Sequence, residues 1–308
     1  MMHPDPAAPP HEPVLLAEIL RAARGARRVV DATVGFGGHA AALAAQGAEL
    51  LVIDRDAEAL AWALERLGAL VTRSVAAPFD DPDALAAIAA FGPDFILLDL
   101  GVSSRQLDVD ARGFSFREGA PLDMRMERAG ETAAEWLARA DATELARAFR
   151  DYGDERRATA LAREIVRRRA RGPMRVADDL VNAIRAVLGP RSGPGDFARL
   201  FQAVRIVVND ELGRLARALP AMRDALVPGG TLAVISYHSG EDRVVKQAFR
   251  AWGDPCTCPP GLPVCICGAV PRGREAPRGA IVAADDEVQR NPRARSAKLR
   301  IFRVNDAA

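Results

Sequence analysis

The chain has 308 residues, 49% hydrophobic and 27% charged, with a formal net charge of +1 at pH 7. A chain of this length buries about three quarters of its unfolded surface without needing disulfides, and its near-neutral balance excludes nucleic-acid binding by bulk charge, leaving that role to local clusters. No apolar run approaches the roughly 20 residues that cross a bilayer, and the Pro- and Ala-rich start, residues 1–10, lacks the basic end and apolar stretch of a signal peptide, so a cytoplasmic protein with no membrane association is expected.

In chain order, Arg28–Asp31 reads as a short apolar strand closed by an acid, residues 35–38 as a turn, and residues 40–46 as the opening of a helix. Residues 49–53 form a second strand, again followed by an acid, Asp54. Helical periodicity covers Ala57–Leu67, a third strand is expected at 70–73, and a third helix over Pro82–Phe91. Residues 94–98 are a continuous apolar strand running into Asp99. Strands alternating with helices imply a parallel sheet covered on both faces. From about residue 133 to 201 the strand signal disappears: 136–140, 143–152, 154–169 and Ala177–Leu188 carry helical patterns, and a Gly/Pro-rich stretch at 189–195 interrupts them. Sheet patterns return at Thr231–Ser236 and Lys298–Val304. The expected architecture is therefore α/β, a Rossmann-like domain with an inserted all-helical domain. Its first part spans 1–105, the loop and helical insertion 106–208, and its second part 209–308.

Asp31-Ala-Thr-Val-Gly35-Phe-Gly37-Gly38-His39, with Asp54 beyond it, is the constellation that carries chemistry. Glycines in the first strand-to-helix turn let a ligand approach the backbone closely. Asp54, 19 residues after Gly35, stands where an acid takes the two ribose hydroxyls of an adenosine. Nicotinamide and flavin enzymes share such a loop. Here position 40 is Ala where the dinucleotide fingerprint has its third glycine, and Asp31 precedes the first glycine by four residues. S-adenosylmethionine has no pyrophosphate to cradle and carries an ammonium and a sulfonium, so nearby acids suit it better than a dinucleotide.

Further segments carry a resemblance. They are His11-Glu-Pro-Val-Leu-Leu, Leu97-Leu-Asp-Leu-Gly-Val-Ser-Ser, Arg112-Gly-Phe-Ser-Phe, Pro121-Leu-Asp-Met-Arg-Met, Phe201-Gln-Ala-Val-Arg-Ile with Asn209-Asp-Glu-Leu, Ile235-Ser-Tyr-His-Ser with Glu241-Asp-Arg, and Asn291-Pro-Arg-Ala-Arg-Ser-Ala-Lys-Leu-Arg. In this order, along nearly the whole chain, the sequence resembles the bacterial small-subunit ribosomal RNA cytosine-N4 methyltransferases, the MraW or RsmH family. The resemblance implies a class I methyltransferase fold, S-adenosyl-L-methionine as cofactor, and methylation of the exocyclic amine of a cytidine in the decoding region. The partner would then be small-subunit ribosomal RNA within an assembled subunit; a homodimer is compatible with the sequence. By the same analogy Gly37, Gly38, His39, Asp54, Phe79, Asp99 and Gln106 contact the cofactor, joined by Gly35 from the glycine loop. The chain departs from the family at Tyr237, where Phe is usual, and at Gly240, where a larger apolar residue is usual, which bears on the packing of that loop.

Several residues keep two readings. Asp99, at the carboxyl end of a central strand, either accepts the N4 hydrogens as a catalytic group or binds the cofactor. His238, after another apolar strand, is either a catalytic or base-positioning group on the same rim or a locally packed loop residue. His39 either contacts cofactor or caps a helix, and Asp123 either orders substrate or makes a turn. The arginines at 163, 167, 168, 169, 171 and 175 form an RNA-backbone grip, with Arg167, Arg168 and Arg171 foremost, or a solvated helix face on which Glu164 pairs with Arg168. Arg293 and Arg295, with Lys298 and Arg300, offer a second phosphate-binding cluster. Cys256, Cys258, Cys265 and Cys267 are either a tetrahedral zinc set or reduced thiols, the Cys-x-Cys spacing being tighter than the usual Cys-x-x-Cys. A small-molecule or DNA methyltransferase is a competing enzyme reading, against which stands the absence of an Asp/Asn-Pro-Pro-aromatic motif. A ribosome-assembly factor without catalysis is another.

Overall fold

The computed structural model describes residues 12–102, 110–259 and 266–307. The chain divides into two compact units, Met1–Gly101 with Arg214–Ala308, and Val102–Gly213.

The first unit is built on an eight-stranded sheet. Its strands are β1 (Arg28–Asp31), β2 (Glu49–Asp54), β3 (Val71–Ala76), β4 (Phe95–Asp99), β5 (Thr231–Ser236), β6 (Gly273–Glu275), β7 (Ile281–Val282) and β8 (Lys298–Val304). The order is β3-β2-β1-β4-β5-β8-β6, with β7 also on β8. Strands β1 to β5 pair in parallel, while β8 runs antiparallel to β5 and carries β6 and β7 antiparallel on its other edge. The third strand begins and ends later than the expected 70–73.

Side chains alternate along each strand, so a strand of consecutive apolar residues is buried twice. Val29, Val52, Leu97, Ile235 and Ile301 enter the core on one face; Val30, Ile53, Ile96, Val234 and Phe302 enter the core on the other. Each such side chain contributes about 1.5–3 kcal/mol by leaving water. The first face is covered by α1 (Leu16–Ala22), α2 (Gly38–Ala44) and α3 (Ala57–Leu67), through Ile19, Leu43 and Leu60. Helix α4 (Pro82–Phe91) covers the second through Ile88. Asp56 accepts the Glu58 N–H, and Asp81 the Asp83 N–H, each satisfying a first-turn donor of the helix it precedes.

The second unit contains α5 (Ala133–Arg139), α6 (Ala142–Asp151), α7 (Ala158–Arg169), α8 (Ala177–Leu188) and α9 (Pro194–Val208). Its extended pairing among the described residues is one bridge, Pro121 with Val176. Trp136, Phe149, Leu161, Ile184 and Leu200 share its separate core. Thr132 and Glu135 close a reciprocal cap on α5. Helix α7 starts at Ala158, later than the expected 154, because Asp154 has φ +48° and the chain turns there. The helix α10 (Glu211–Ala225) leads back to the sheet unit, where Leu219 and Met222 join the second face; α11 (Ser239–Gly253) adds Val245 and Phe249, and α12 (Asp285–Arg290) precedes β8.

Candidate active site

Parallel strands β1, β2, β4 and β5 end along one edge of the sheet, the edge where open α/β sheets bind ligands. Asp31, Asp54 and Asp99 terminate β1, β2 and β4, and Tyr237 follows β5.

The glycine loop is locked from below by Asp54. Its Oδ2 accepts the Gly35 N–H at 2.8 Å and its Oδ1 accepts the Asp56 N–H at 2.8 Å. The acid read as a ribose ligand therefore also fixes the turn that approaches the ligand, and each oxygen keeps a lone pair for a further donor. Gly37 opens α2 with φ +75°, which L side chains rarely adopt. Gly38 answers to a different constraint: a Cβ there would lie 2.7 Å from Pro13 Cγ, so its bareness admits the segment before α1.

Asp99 gathers three neighbours. Its backbone N–H donates to Thr33 Oγ1 at 2.6 Å. The Tyr237 hydroxyl donates to its Oδ1 at 2.8 Å. His39 Nδ1 stands 3.6 Å from its Oδ2, while His39 Nε2 lies 2.9 Å from the Val14 carbonyl. A carbonyl only accepts, so Nε2 carries the hydrogen and Nδ1 faces the carboxylate. Asp31, buried beside this group, accepts the Thr33 N–H at 3.2 Å.

Burial dominates the electrostatics of all three acids. Desolvation raises Asp31 from 3.8 to about 7, opposed by His39 and by the Thr33 N–H. Asp54 is raised by desolvation against the two backbone donors, and Asp99 by desolvation against His39 and the Tyr237 hydroxyl. Burial, followed by the charge of Asp99, pushes the Tyr237 hydroxyl well above its ordinary value, so it remains a donor. Three carboxyls wholly or partly withdrawn from water around a glycine loop favour a cationic ligand, because a cation lowers the cost of ionising each of them.

The other expected residues each have surroundings of their own. Phe79, beyond the end of β3, is buried in the core of the sheet's second face with Leu100. His238 is the N-cap of α11: its Nδ1 accepts the Glu241 N–H at 3.4 Å and its Nε2 lies 3.2 Å from Glu241 Oε1. Its geometry is that of the locally packed reading rather than of a group aimed at substrate. Asp123 is engaged by Arg125, whose Nε and Nη2 donate to its two oxygens at 2.8 and 2.9 Å; burial pushes its carboxyl up, and the combined hydrogen bonds and charge of Arg125 outweigh it and hold it below the usual range. Gln106 and Cys265 lie outside the described residues.

The arginine run separates into unlike members. Arg167 and Arg168 both bind Glu164, at 2.6 Å each at closest, and Arg167 foremost draws that carboxyl down to about 2. Arg169 donates to the Leu137 and Ala140 carbonyls at the end of α5, which removes it from the expected phosphate grip. Arg171 is exposed. In the sheet unit Arg295 is exposed and Arg293 half-buried, its charge acting on Tyr237. Arg300 is buried against Asp242 and Glu275, both at 2.7 Å, a structural ion pair rather than a phosphate contact.

Sequence reasoning missed Tyr237 and Thr33. The signal for Tyr237 was present as a departure from the family's Phe; it concerns a hydroxyl placed on Asp99 rather than packing alone. Thr33 gave no signal, since nothing in a sequence reports that a loop hydroxyl meets the backbone of a strand sixty-six positions on.

Comparison with known proteins gives the family. Residues 8–305 match the model of the MraW methylase family. The protein named Ribosomal RNA small subunit methyltransferase H from Gemmatimonas aurantiaca is 54% identical over 298 residues, covering 95% of each chain. Those of the same name from Symbiobacterium thermophilum and Anaeromyxobacter sp. (strain K) are 44% and 46% identical, covering 94% of this chain and 95% and 96% of their own. With its family match running from before α1 to beyond β8, and with relatives this similar end to end, the chain belongs to the MraW methylase family.

Proposed function

We propose that this protein transfers the methyl group of S-adenosyl-L-methionine to the exocyclic N4 of a cytidine in the decoding region of small-subunit ribosomal RNA, acting in the cytoplasm on an assembled subunit. Family membership over residues 8–305 carries the reading, and relatives bear the name Ribosomal RNA small subunit methyltransferase H. No helix among the described residues is long and apolar enough to cross a membrane.

The residues at the strand ends fit the cofactor. S-adenosylmethionine supplies an electrophilic methyl on a sulfonium and carries an ammonium. Asp31 and Asp99, raised by burial, ionise more readily beside such cations, and Asp54 keeps acceptor capacity for ribose hydroxyls beside Gly35 and Gly37. Gln106 and Phe79 complete the set by family analogy.

Cytosine N4 is a weak nucleophile because its lone pair is delocalised into the ring. Alignment of N4 with the methyl carbon supplies part of the rate, up to about 7–11 kcal/mol in ideal cases. The rest requires an acceptor for the N4 hydrogens as positive charge grows on nitrogen. Asp99 is suited to accept them, because its side chain is 24% exposed and the Tyr237 hydroxyl holds its carboxylate. Arg167, Arg168 and Arg171, with Arg293 and Arg295, are the cations assigned to RNA phosphates.

The test is methyl incorporation into small subunits from a strain lacking the enzyme. Label appearing at N4 of one cytidine in assembled subunits supports the reading. Label in naked RNA alone moves the substrate, and its absence from both favours an assembly factor without catalysis. Light scattering of the free protein decides between a monomer and a homodimer.

A further inference from the structure

We propose that Cys256, Cys258 and Cys267 hold a structural zinc ion that clasps the loop between α11 and β6. The three sulfur atoms lie within 4.8 Å of one another. The Cys256 and Cys267 sulfurs are 3.8 Å apart. That is far beyond the ~2.05 Å of a disulfide bond, and no disulfide joins these cysteines. It matches the edge of a tetrahedron whose metal–sulfur bonds are about 2.3 Å, an edge of about 3.8 Å.

Ile266 and Val270 are 78% and 74% exposed, so they form no apolar cluster that draws the thiols together. The loop is closed at its base, where the Arg272 N–H donates to the Trp252 carbonyl at 2.8 Å and Asn305 Nδ2 to the Pro271 carbonyl at 2.7 Å. Above that base the three sulfurs bring its two limbs together. The backbone is arranged for charged sulfur: the Ile266 N–H donates to Cys258 Sγ at 3.3 Å, a contact that favours thiolate over thiol. Gly268, with φ +63°, turns the chain immediately after Cys267.

The donor set selects the metal. Thiolates without a carboxylate or imidazole among them favour a soft or borderline ion over calcium or magnesium. Zinc has no geometric preference of its own and accepts the tetrahedron the sulfurs outline. Three sulfurs this close do not suit an iron–sulfur cluster, in which at most two cysteines share an iron. Three thiolates leave one position to a further ligand, Cys265 lying outside the described residues. The Cys-x-Cys spacing is no obstacle, since the Cys256 and Cys258 sulfurs already meet the common distance. Binding deprotonates the thiols and ties the loop, giving the edge of the sheet beside β6 a clasp separate from the methyl-transfer residues.

The full-length protein, made without a metal-binding tag and kept reduced, is analysed for bound metals. About one zinc per chain is expected, lost in Cys256→Ser and in Cys267→Ser. Chelation should speed proteolysis within residues 254–271 while leaving S-adenosylmethionine affinity unchanged. Wild-type protein that holds no zinc and takes up none on titration overturns the proposal. So does copper or iron in its place, or zinc that persists in both variants. If the variants fail to fold, cobalt(II) added to chelator-treated wild type decides: a thiolate-to-cobalt charge-transfer band with tetrahedral visible bands supports the site, and its absence refutes it.

Discussion

Asp31 offers the sharpest test of the electrostatics at the strand ends. Burial raises its carboxyl from 3.8 to about 7, so below neutrality most molecules hold it protonated. A ligand bringing an ammonium and a sulfonium prefers the ionised form, and its apparent affinity scales with the fraction of protein in that form. With a pKa of about 7, that fraction rises from about 3% at pH 5.5 to about 24% at pH 6.5, so the apparent Kd falls about eightfold, about 1.2 kcal/mol. This window lies below the titration of the cofactor's own amine at roughly 8. Asp31→Asn keeps an acceptor for the Thr33 N–H and removes the titration. Its affinity should be weaker at pH 7 and much flatter between pH 5.5 and 6.5, measured by calorimetry in buffers of different ionisation enthalpy to count the protons released. Stability of the cofactor-free protein follows with a definite sign. A raised carboxyl binds more protons in the native than in the unfolded state between 3.8 and about 7. Stability therefore falls as pH rises through that window, and the Asn variant escapes this fall. Superimposable pH profiles of wild type and variant would refute the argument.

The other predictions concern neighbouring groups. Asp54→Ala removes charge-assisted hydrogen bonds worth roughly 1.5–3 kcal/mol, so S-adenosylmethionine affinity should fall about 10- to 150-fold with the circular dichroism unchanged; unaltered affinity sinks the ribose assignment. Tyr237→Phe deletes the donor that lowers Asp99, so the acidic limb of the kcat/KM profile should move to higher pH, and Asp99→Asn should abolish that limb. If Asp99→Asn lowers the single-turnover rate by about 100-fold or more with binding intact, Asp99 serves N4; if binding is lost instead, it serves the cofactor. Replacing Arg167, Arg168 and Arg171 by Gln removes three positive charges, one already answered by Glu164. The log–log salt slope of RNA binding should then drop by about 1.4, two net charges at about 0.7 each, and an unchanged slope clears this helix of RNA contact.

The parts of the fold visible in the sequence were those whose residues decide locally. Arg28–Asp31, Thr231–Ser236 and Lys298–Val304 form strands over the residues expected, because buried parallel and central strands are continuous apolar runs. Ala57–Leu67 and Ala177–Leu188 announce themselves by periodicity. Helix α10 was hidden by Pro220 in its interior, a residue that argues against a helix unless packing overrides it. Helix α11 was hidden by Ser239 and Gly240 in its first turn. Strands β6 and β7 have no pattern of their own and exist by pairing with β8. At the site, the strand-end acids were legible from spacing. Whether His238 faces a ligand or caps a helix depends on rotamer and neighbours, which spacing does not encode, and the structure gives the cap.

The position of β8 has a consequence for how the molecule is made. The strand lies between β5 and the short pair β6 and β7, yet it is built from Lys298–Val304, which follows β5 only after residues 237–297. During synthesis, β1 to β4 emerge early enough to pair while translation continues, whereas the outer edge of β5 has no partner until Lys298–Val304 has been made. An uncovered strand edge is a template for joining other chains. The sheet therefore closes late, and the nascent protein spends the synthesis of the residues between β5 and β8 with its central edge open. Deleting the residues of β8 should thus send newly made chains to chaperones or aggregates, while leaving Asp31, Asp54, Asp99 and Tyr237 in the chain.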